Sequence, residues 1–365
     1  MSAPTSGLPN LLGLGKPRLD KLIKASKEGK LEAVQKQLSS PKVDVNVRDE
    51  NGRTALMWAS AGGFTDVVKK LLSVPQIDVN AKDDTGRTAL MWASAGGFND
   101  VMEQLLSVPQ IDVLAQDDTG RTAQMWASAG NFFSAERLLK KQIIRASKKG
   151  DVEAVKKLLS DPQVDVNEID DNGRTALMWA VAKKFGDVVL LLKKHPEIDV
   201  NHADVKGETA LFIAVQNEDF MMVDRILDFK GTNVNHANKK GDTVLFPTSY
   251  QMSEDYLNIL EVLIRRKSTD VNYANKRGNT ALMDASYKGL LRYVKLLLSD
   301  RRIDVNHANN DGNTALILAT REGNTDVVKR LLAVPGINRN HKNNDYENAK
   351  QVAVKLDRMD IHKLL

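Results

Sequence analysis

A segment of 34 residues is repeated along the chain with few changes. Residues 52–85 and 86–119 differ at only six of their 34 aligned positions. The repeated core Leu-Met-Trp-Ala, or a close copy of it, holds every tryptophan of the chain: Trp58, Trp92, Trp126 and Trp179. A fixed period of this length is typical of stacked repeat arrays, in which each unit packs only on its neighbours. We therefore expect a function carried by an extended surface rather than by a pocket.

Each unit predicts the same local structure. Thr54 opens a short helix, because its hydroxyl can cap free backbone N–H groups. Gly62-Gly63 ends that helix, since glycine accepts the left-handed conformation. Residues 66–72 have the apolar spacing of a second helix, which Pro75 stops. An extended finger follows and turns at residues 83–86.

The order of these motifs resembles the ankyrin repeat: Thr-Ala-Leu-x-x-Ala, Gly, Asp-Val-Val-x-x-Leu-Leu, then Asp-Val-Asn before a Gly-x-Thr turn. The resemblance covers residues 18–365 and implies an all-α repeat solenoid of about eleven helix pairs with β-hairpin-like finger loops. The chain departs from the family at Ala55 and Met57, where Pro and His are usual. The resemblance also implies that protein partners bind through the fingers and the concave helix ends.

The register breaks at one point in the middle of the chain. The step from Thr122 to Lys141 is 19 residues instead of 34, so one finger is missing. Residues 144–155 then copy the start of the array at 23–34. We predict a flexible tail, a first repeat block and a second block that starts with a cap-like unit, at 1–17, 18–139 and 140–365.

A second irregularity is a longer step of 37 residues between Thr243 and Thr280. The extra residues fall around 249–253, between the two helices of the unit. Pro247 lies inside the first of these helices, and proline cannot continue a helix, so we expect a local bulge.

Composition excludes several classes of function. The chain has no cysteine, so disulfides, thiolate catalysis and Cys-based zinc sites are excluded. No metalloprotease motif, nucleophile elbow or complete phosphate loop is present. We find no apolar run near the length of a membrane span, and we expect no charged-then-apolar leader. We expect a soluble cytoplasmic or nuclear monomer without enzymatic activity, cofactor or metal.

The tryptophans are the first candidate binding surface. At about 100° per residue, Trp58 lies opposite Leu56, Ala59 and Ser60 on its helix. We expect it to point to the concave wall beneath the fingers, where large exposed aromatic rings mark interaction sites. In the alternative, each ring lies flat against its neighbour and fills the groove between repeats.

The fingers are the second candidate surface. Four arginines precede the capping threonines: Arg53, Arg87, Arg121 and Arg174. The finger tips are acidic near the N-terminus, at Glu50, Asp84 and Asp118, and basic or neutral further along. These residues are predicted to bind a partner protein, and the alternative is a surface network of Arg–Asp pairs.

Two further columns recur at fixed finger positions. Four histidines, with Tyr273 in the same column, predict a polar ladder: His202, His236, His307 and His341. Successive repeats are about 8–10 Å apart, too far for ligands with zinc bonds of about 2.0–2.1 Å. A series of asparagines predicts turn hydrogen bonds, and the family resemblance also makes them candidate substrates of an asparaginyl hydroxylase: Asn46, Asn80, Asn167, Asn201, Asn235, Asn272 and Asn306.

The net charge of +5 includes one dense basic stretch between Arg137 and Lys157. It contains candidate anion-binding residues: Arg137, Lys140, Lys141, Arg145, Lys148 and Lys149. The alternative is a solvated helix face. We predict a scaffold or adaptor that binds one or more proteins. The rival hypotheses are an assembly component that docks nucleic acid through this stretch, and an effector or viral protein that binds host factors.

Overall fold

The computed structural model describes residues 20–246 and 253–365. These residues form two compact units, and the chain passes from the first to the second after Gln142. The first unit contains four pairs of short helices: α1 (Lys21–Lys27), α2 (Leu31–Leu38), α3 (Ala55–Ala61), α4 (Thr65–Leu72), α5 (Ala89–Ala95), α6 (Asn99–Leu106), α7 (Ala123–Ala129) and α8 (Phe133–Lys140).

The second unit begins at the second residue of α9 and continues the same alternation. Its helices are α9 (Gln142–Lys149), α10 (Val152–Leu158), α11 (Ala176–Ala182), α12 (Gly186–Lys193), α13 (Ala210–Gln216), α14 (Phe220–Leu227), α15 (Glu254–Arg265), α16 (Ala281–Tyr287), α17 (Leu291–Leu297), α18 (Ala315–Glu322), α19 (Thr325–Leu332), α20 (Ala349–Lys355) and α21 (Met359–His362). The described residues thus give ten helix pairs and the single helix α15. The expected total of eleven pairs stays a prediction.

The helix starts are fixed by side-chain caps, as the sequence predicts. The N–H of Met57 donates to the hydroxyl of Thr54 over 3.3 Å. The same cap recurs at six further threonines: Thr88, Thr122, Thr175, Thr209, Thr280 and Thr314. Each such cap contributes about 1 kcal/mol to the stability of helices that are too short to persist alone.

The glycine pair after α3 ends the helix as predicted. Gly63 has a φ of +70°, which favours glycine. Its missing side chain also makes room for the next repeat, because a Cβ there would lie 2.6 Å from the ring of Phe98. The turn and the stacking of neighbouring repeats therefore depend on the same residue.

Like helices stack on like helices within each unit. In the first unit α1, α3, α5 and α7 form one row, and α2, α4, α6 and α8 form a second. The apolar face predicted for α4 is the buried one, with Val67, Val68 and Leu71 at most 2% exposed. The core is therefore continuous along the stack, and burial of neighbouring faces provides most of the stability.

Each finger is a tight turn of five residues, numbered here from first to fifth. The turns are 49–53, 83–87 and 117–121 in the first unit, and 170–174, 204–208, 238–242, 275–279, 309–313 and 343–347 in the second. In all of them the N–H of the first residue donates to the carbonyl of the fifth over 2.9–3.1 Å. The only β-bridge in the described residues joins Arg48 and Thr54.

The structure describes the short step before Lys141 completely and the insert around 249–253 only in part. Helix α8 ends at Lys140 and α9 begins at Gln142, so no finger separates them. Pro247 and most of the insert lie outside the described residues, as does the tail 1–17. On the far side of the insert, Ser253 caps α15, and the buried hydroxyl of Tyr293 donates to the carbonyl of Leu245 over 2.5 Å.

Candidate functional site

The tryptophans of the first unit lie between cationic side chains, most of which come from successive fingers. Arg53 Cζ is 4.9 Å from the ring centre of Trp58 and 4.6 Å from that of Trp92. Arg87 is likewise 5.0 Å from Trp92 and 4.1 Å from Trp126. The series is closed by Lys27 over Trp58, at 4.3 Å, and by Arg121 over Trp126, at 5.1 Å.

We call this alternating stack the cation–π ladder: Lys27, Trp58, Arg53, Trp92, Arg87, Trp126 and Arg121. Its members come from α1, from α3, α5 and α7, and from the fingers between them. A cation over an aromatic ring contributes about 0.5–1 kcal/mol at exposed sites and more where water is excluded. The ladder therefore ties the fingers 49–53 and 83–87 each to two adjacent helices, and the finger 117–121 to α7.

Each tryptophan also bonds to the first residue of its own finger. The indole N–H of Trp92 donates to Asp83 Oδ2 over 3.0 Å, and Trp58 and Trp126 make the same bond at 2.8 and 3.0 Å. The other carboxylate oxygen, Asp83 Oδ1, accepts from the N–H groups of Thr85 and Arg87. One buried carboxylate thus fixes the turn and the ring together.

These contacts lower the pKa of the finger carboxylates. For Asp117, burial raises the pKa and is the largest single influence. Hydrogen bonds from Thr119, Arg121 and Trp126 outweigh it and lower the pKa to about 2. The pKa values of Asp49 and Asp83 are lowered for the same reasons. These carboxylates stay charged at neutral pH, where they attract the ladder arginines.

The ladder leaves the tryptophans partly buried. Their ring faces are covered by cations and their N–H groups are bonded, so the surface open to a partner is the ring edges. This geometry combines the two arrangements considered from the sequence: the rings reach the finger side, and they also fill the space between repeats.

The second unit repeats the arrangement once. Trp179 lies under Lys148 at 4.2 Å and Arg174 at 5.2 Å, and its N–H donates to Asp170 over 2.7 Å. Arg174 Nε also donates to Asp204 Oδ2 over 3.2 Å. The next equivalent helix position is Ile213, which is buried.

Further along the second unit, neutral amides replace the arginines, an arrangement that sequence reasoning missed. Asn309 Nδ2 donates to Asn279 Oδ1 over 2.8 Å, and Asn343 Nδ2 donates to Asn313 Oδ1 over 3.0 Å. Asn275 donates in the same way to Asp242. We call these contacts the amide ladder. The change from Asp and Arg to Asn at the first and fifth finger positions signals it in the sequence.

The acidic tips of the first unit are exposed at Glu50, Asp84 and Asp118. Adjacent tips are held in register, because the N–H of Asp84 donates to the carbonyl of Asn51 and that of Asp118 to Thr85, both over 3.1 Å. The tips therefore form a row of negative charges on the fingers of the first unit.

The histidines form the predicted polar ladder. Each ring Nε2 bonds to the glycine carbonyl of the preceding finger at 2.9–3.1 Å: His202 to Gly173, His236 to Gly207, His307 to Gly278 and His341 to Gly312. Within residues 20–246 and 253–365, no group of His, Asp and Glu side chains is arranged to hold a metal ion.

The asparagine column has a different role from the one expected. Asn80 Nδ2 donates to the carbonyl of Gln110, and its Oδ1 accepts from the N–H of Asp112, both over 2.7 Å. Each asparagine of the column makes this pair of bonds to the loop of the next repeat, an arrangement we call the Asn clamp. The expected turn bond is made instead by the residue two positions earlier, such as Asp78.

Several residues of the basic stretch already have interaction partners. In the first unit Lys140 pairs with Glu136 at 2.7 Å, and Arg137 and Lys141 also have interaction partners. In the second unit Lys148 covers Trp179, Arg145 is partly buried and Lys149 is exposed. These contacts leave fewer open charges than the sequence suggests.

None of the helices in the described ranges has the length and apolar content needed to span a bilayer.

A family model described as "Ankyrin repeats (3 copies)" matches the chain over overlapping segments: 22–117, 75–145, 143–238, 214–308 and 249–343. Together these segments cover most of the chain.

Among solved structures, the chain is similar to the ankyrin repeat domain of Bcl-3, described as a member of the IkappaB protein family. The identity is 22%, the TM-score is 0.52, and the match covers 61% of this chain and 97% of that one. It is also similar to the ankyrin repeat protein EF0377, at 25% identity and a TM-score of 0.36, with 61% and 96% covered. No curated protein matches the chain.

Proposed function

The chain belongs to the ankyrin-repeat family, and from this premise we propose that it is a non-catalytic scaffold or adaptor that binds a partner protein. Ankyrin repeats are a protein-interaction module. We assign the contact surface to the first unit, at the edges of Trp58, Trp92 and Trp126 and the acidic tips. In the second unit, Trp179 and Arg174 repeat the same arrangement on a smaller scale.

The observation that carries this proposal is the cation–π ladder. Its rings are held by stacking and hydrogen bonds, and its guanidinium groups by stacking, before any partner arrives. Binding to such a surface costs less conformational entropy than binding to free side chains, which cost about 0.5–1.5 kcal/mol each to immobilise. Partly exposed tryptophan and arginine are also the side chains enriched in interface hot spots.

The row of tips defines the chemistry of the partner. Glu50, Asp84 and Asp118 present three exposed carboxylates from consecutive repeats, on the same fingers whose first residues bond to the tryptophans. A complementary segment carries basic side chains that alternate with apolar ones. Opposite charges at the edge of an interface, such as these tips and a basic partner, act mainly on the association rate and on specificity.

A tip variant tests the proposal without disturbing the ladder. Glu50→Ala, Asp84→Ala and Asp118→Ala together should reduce capture of the partner about tenfold, because three favourable charges are lost. The matched control is Asp66→Ala, Asp100→Ala and Glu103→Ala, which removes three exposed carboxylates from helices α4 and α6 of the same repeats. Equal capture by the tip variant and the intact chain would contradict the proposal.

The rival, an anionic partner bound through the basic stretch, predicts a different result. Binding to nucleic acid would fall steeply with salt concentration, since each phosphate contact releases counterions. Binding through ring edges and a few tip charges would change modestly over the same range. The cytoplasmic location expected from the sequence stays a prediction.

A further inference from the structure

A strip of exposed cations runs along the second unit on loops that neither the ladder nor the fingers use. Each loop follows the second helix of a repeat. Four consecutive loops carry basic side chains, at residues 194–197, 228–232, 266–269 and 299–302, and two of them directly follow a basic last helix residue, Lys193 or Arg265. Of the corresponding loops elsewhere, those at 73–76, 107–110, 160–163 and 333–336 contain no lysine or arginine, and the one at 39–42 contains a single lysine, Lys42. The fold therefore does not require cations at this position.

Hydrogen bonds between repeats hold the four loops next to one another. The Asn clamps link each loop region to the following one through the carbonyls of Gly231, Ser268 and Arg302, at 2.7–2.8 Å. Arg302 adds bonds to the carbonyls of Ile264 and Thr269 at 2.6 and 2.9 Å. The charges thus lie side by side although they are about 35 residues apart in the sequence.

Part of the positive charge is used internally. Lys193 pairs with Asp228, Arg265 pairs with Glu261 at 2.5 Å, and Arg302 pairs with Asp300 at 2.6 Å. Five exposed cations have no ion pair among the described residues: Lys194, Lys230, Arg266, Lys267 and Arg301. We call these five residues the basic strip. They leave one or two open charges on every loop.

We propose that the basic strip binds an extended acidic segment of a protein. Successive repeats are spaced by about 8–10 Å, so four loops span about 25–30 Å. An extended chain advances about 3.3–3.6 Å per residue, so carboxylates at every third residue recur about every 10 Å and match the loops. The only Phe, Tyr or Trp in the loops is Phe229, which is buried, so unpaired bases find no ring to stack on.

The probe follows from this spacing. A labelled peptide of about twelve residues, four copies of Glu-Gly-Ser, places one carboxylate opposite each loop. A second peptide with the same composition carries its four glutamates in one block. Fluorescence anisotropy with the full chain, at about 0.1 M salt where charges are screened beyond about 10 Å, should give tighter binding of the spaced peptide.

Charge reversal locates the binding. Lys230→Glu, Arg266→Glu, Lys267→Glu and Arg301→Glu together should weaken binding of the spaced peptide at least about tenfold. A matched control reverses four exposed lysines elsewhere, Lys21, Lys36, Lys350 and Lys363, and should change it less than about threefold.

Ser268, which lies inside the strip, offers a smaller test. Ser268→Glu should weaken binding about twofold to threefold, and Ser268→Ala should leave it unchanged.

Three outcomes would overturn the inference. The strip variant and the control variant could weaken binding equally, which would assign it to net charge. The two peptides could bind equally well, which would remove the argument from spacing. Duplex DNA or phosphatidylserine vesicles could bind through the strip while the spaced peptide does not. The tip variant of the first unit should retain peptide binding, so failure here is distinct from failure of the proposed function.

Discussion

The fingers of the first unit and those at 238–347 join neighbouring repeats with opposite polarity. In the first unit the fifth finger residue is the cationic partner, and Arg53 Nε lies 3.9 Å from Asp83 Oδ2 of the next finger. In the later fingers the first residue of the following finger is the donor, as in Asn309 to Asn279. The same two positions are in contact, but the donor and the acceptor have exchanged places.

The comparison shows that the turn needs only one polar atom of the first finger residue, and that the other polar atom can differ between the two regions. Asp83 and Asn309 both use Oδ1 to accept backbone N–H groups of their own turn. That requirement is met by either side chain. The second polar atom is left for other partners. Asp83 Oδ2 accepts from Trp92 of its own repeat and lies near Arg53 of the preceding finger, and Asn309 Nδ2 donates to the amide of Asn279 in the preceding finger.

The largest expected effect comes from removing a ladder ring. Trp92→Ala should lower the free energy of unfolding of the first unit by about 3–4 kcal/mol, because large aromatic truncations cost about 3–5 kcal/mol in a core and Trp92 is partly exposed. Leu318→Ala, at the equivalent position of the second unit, should cost about 2–3 kcal/mol. Hydrogen exchange should locate each loss in its own unit. If either substitution reduced exchange protection equally in both units, the claim that each unit is stabilised by its own contacts would be wrong.

The next largest effect expected is that low pH destabilises the first unit more than residues 238–347. The folded-state pKa values of Asp49, Asp83 and Asp117 lie below the unfolded value of about 3.9. Their stabilisation is therefore complete above about pH 4 and is lost as the pH falls below that value, toward about 2 for Asp117. The fingers at 238–347 begin with asparagine and lack these carboxylates.

Exchange measured across this pH range should show the first unit opening before residues 238–347. Asp83→Asn is the control, since it keeps the turn acceptor and removes one titrating group. If the variant kept the full acid dependence of the intact chain, the assignment to these carboxylates would be wrong.

Arg87→Asn converts one ladder position to the residue used at 279 and 313. It removes the cation from both Trp92 and Trp126 and should cost about 1–2 kcal/mol, the sum of two cation–π contacts. Arg87→Lys keeps a cation and should cost less than half as much. Urea denaturation monitored by tryptophan fluorescence measures both. An equal cost for the two substitutions would show that packing rather than charge dominates.

The smallest expected difference concerns the Asn clamps, which both units share. Asn80→Ala and Asn306→Ala each remove two exposed hydrogen bonds and should cost about 1 kcal/mol, with similar values in the two units. Matched urea titrations of the two variants test this similarity. A cost confined to one unit would mean that the units differ in more than their finger ladders.

Much of the repeat could be read directly from the sequence. Caps, glycine turns and helix faces depend on residues within one repeat, and Thr54, Gly63 and Val67 behave as predicted. The direction of Trp58 toward the fingers also follows from helical phase. These features are local, so spacing along the chain determines them.

The contacts between repeats could not be read in the same way. The stacking of Arg53 on both Trp58 and Trp92 depends on which finger lies against which helix. The clamp made by Asn80 depends likewise on the position of the next loop. One sequence signal was available: Leu114 replaces asparagine where the following loop is missing, so no clamp partner would exist there.

A double-mutant cycle on Arg87 and Trp126 tests the central claim most directly, since their separation of 4.1 Å is the shortest in the ladder. The cycle compares Arg87→Gln, Trp126→Leu and the combined variant by denaturation of the full chain. The ladder predicts a coupling free energy of about 0.5–2 kcal/mol, because each substitution removes the same contact. Additive effects within about 0.3 kcal/mol would contradict it.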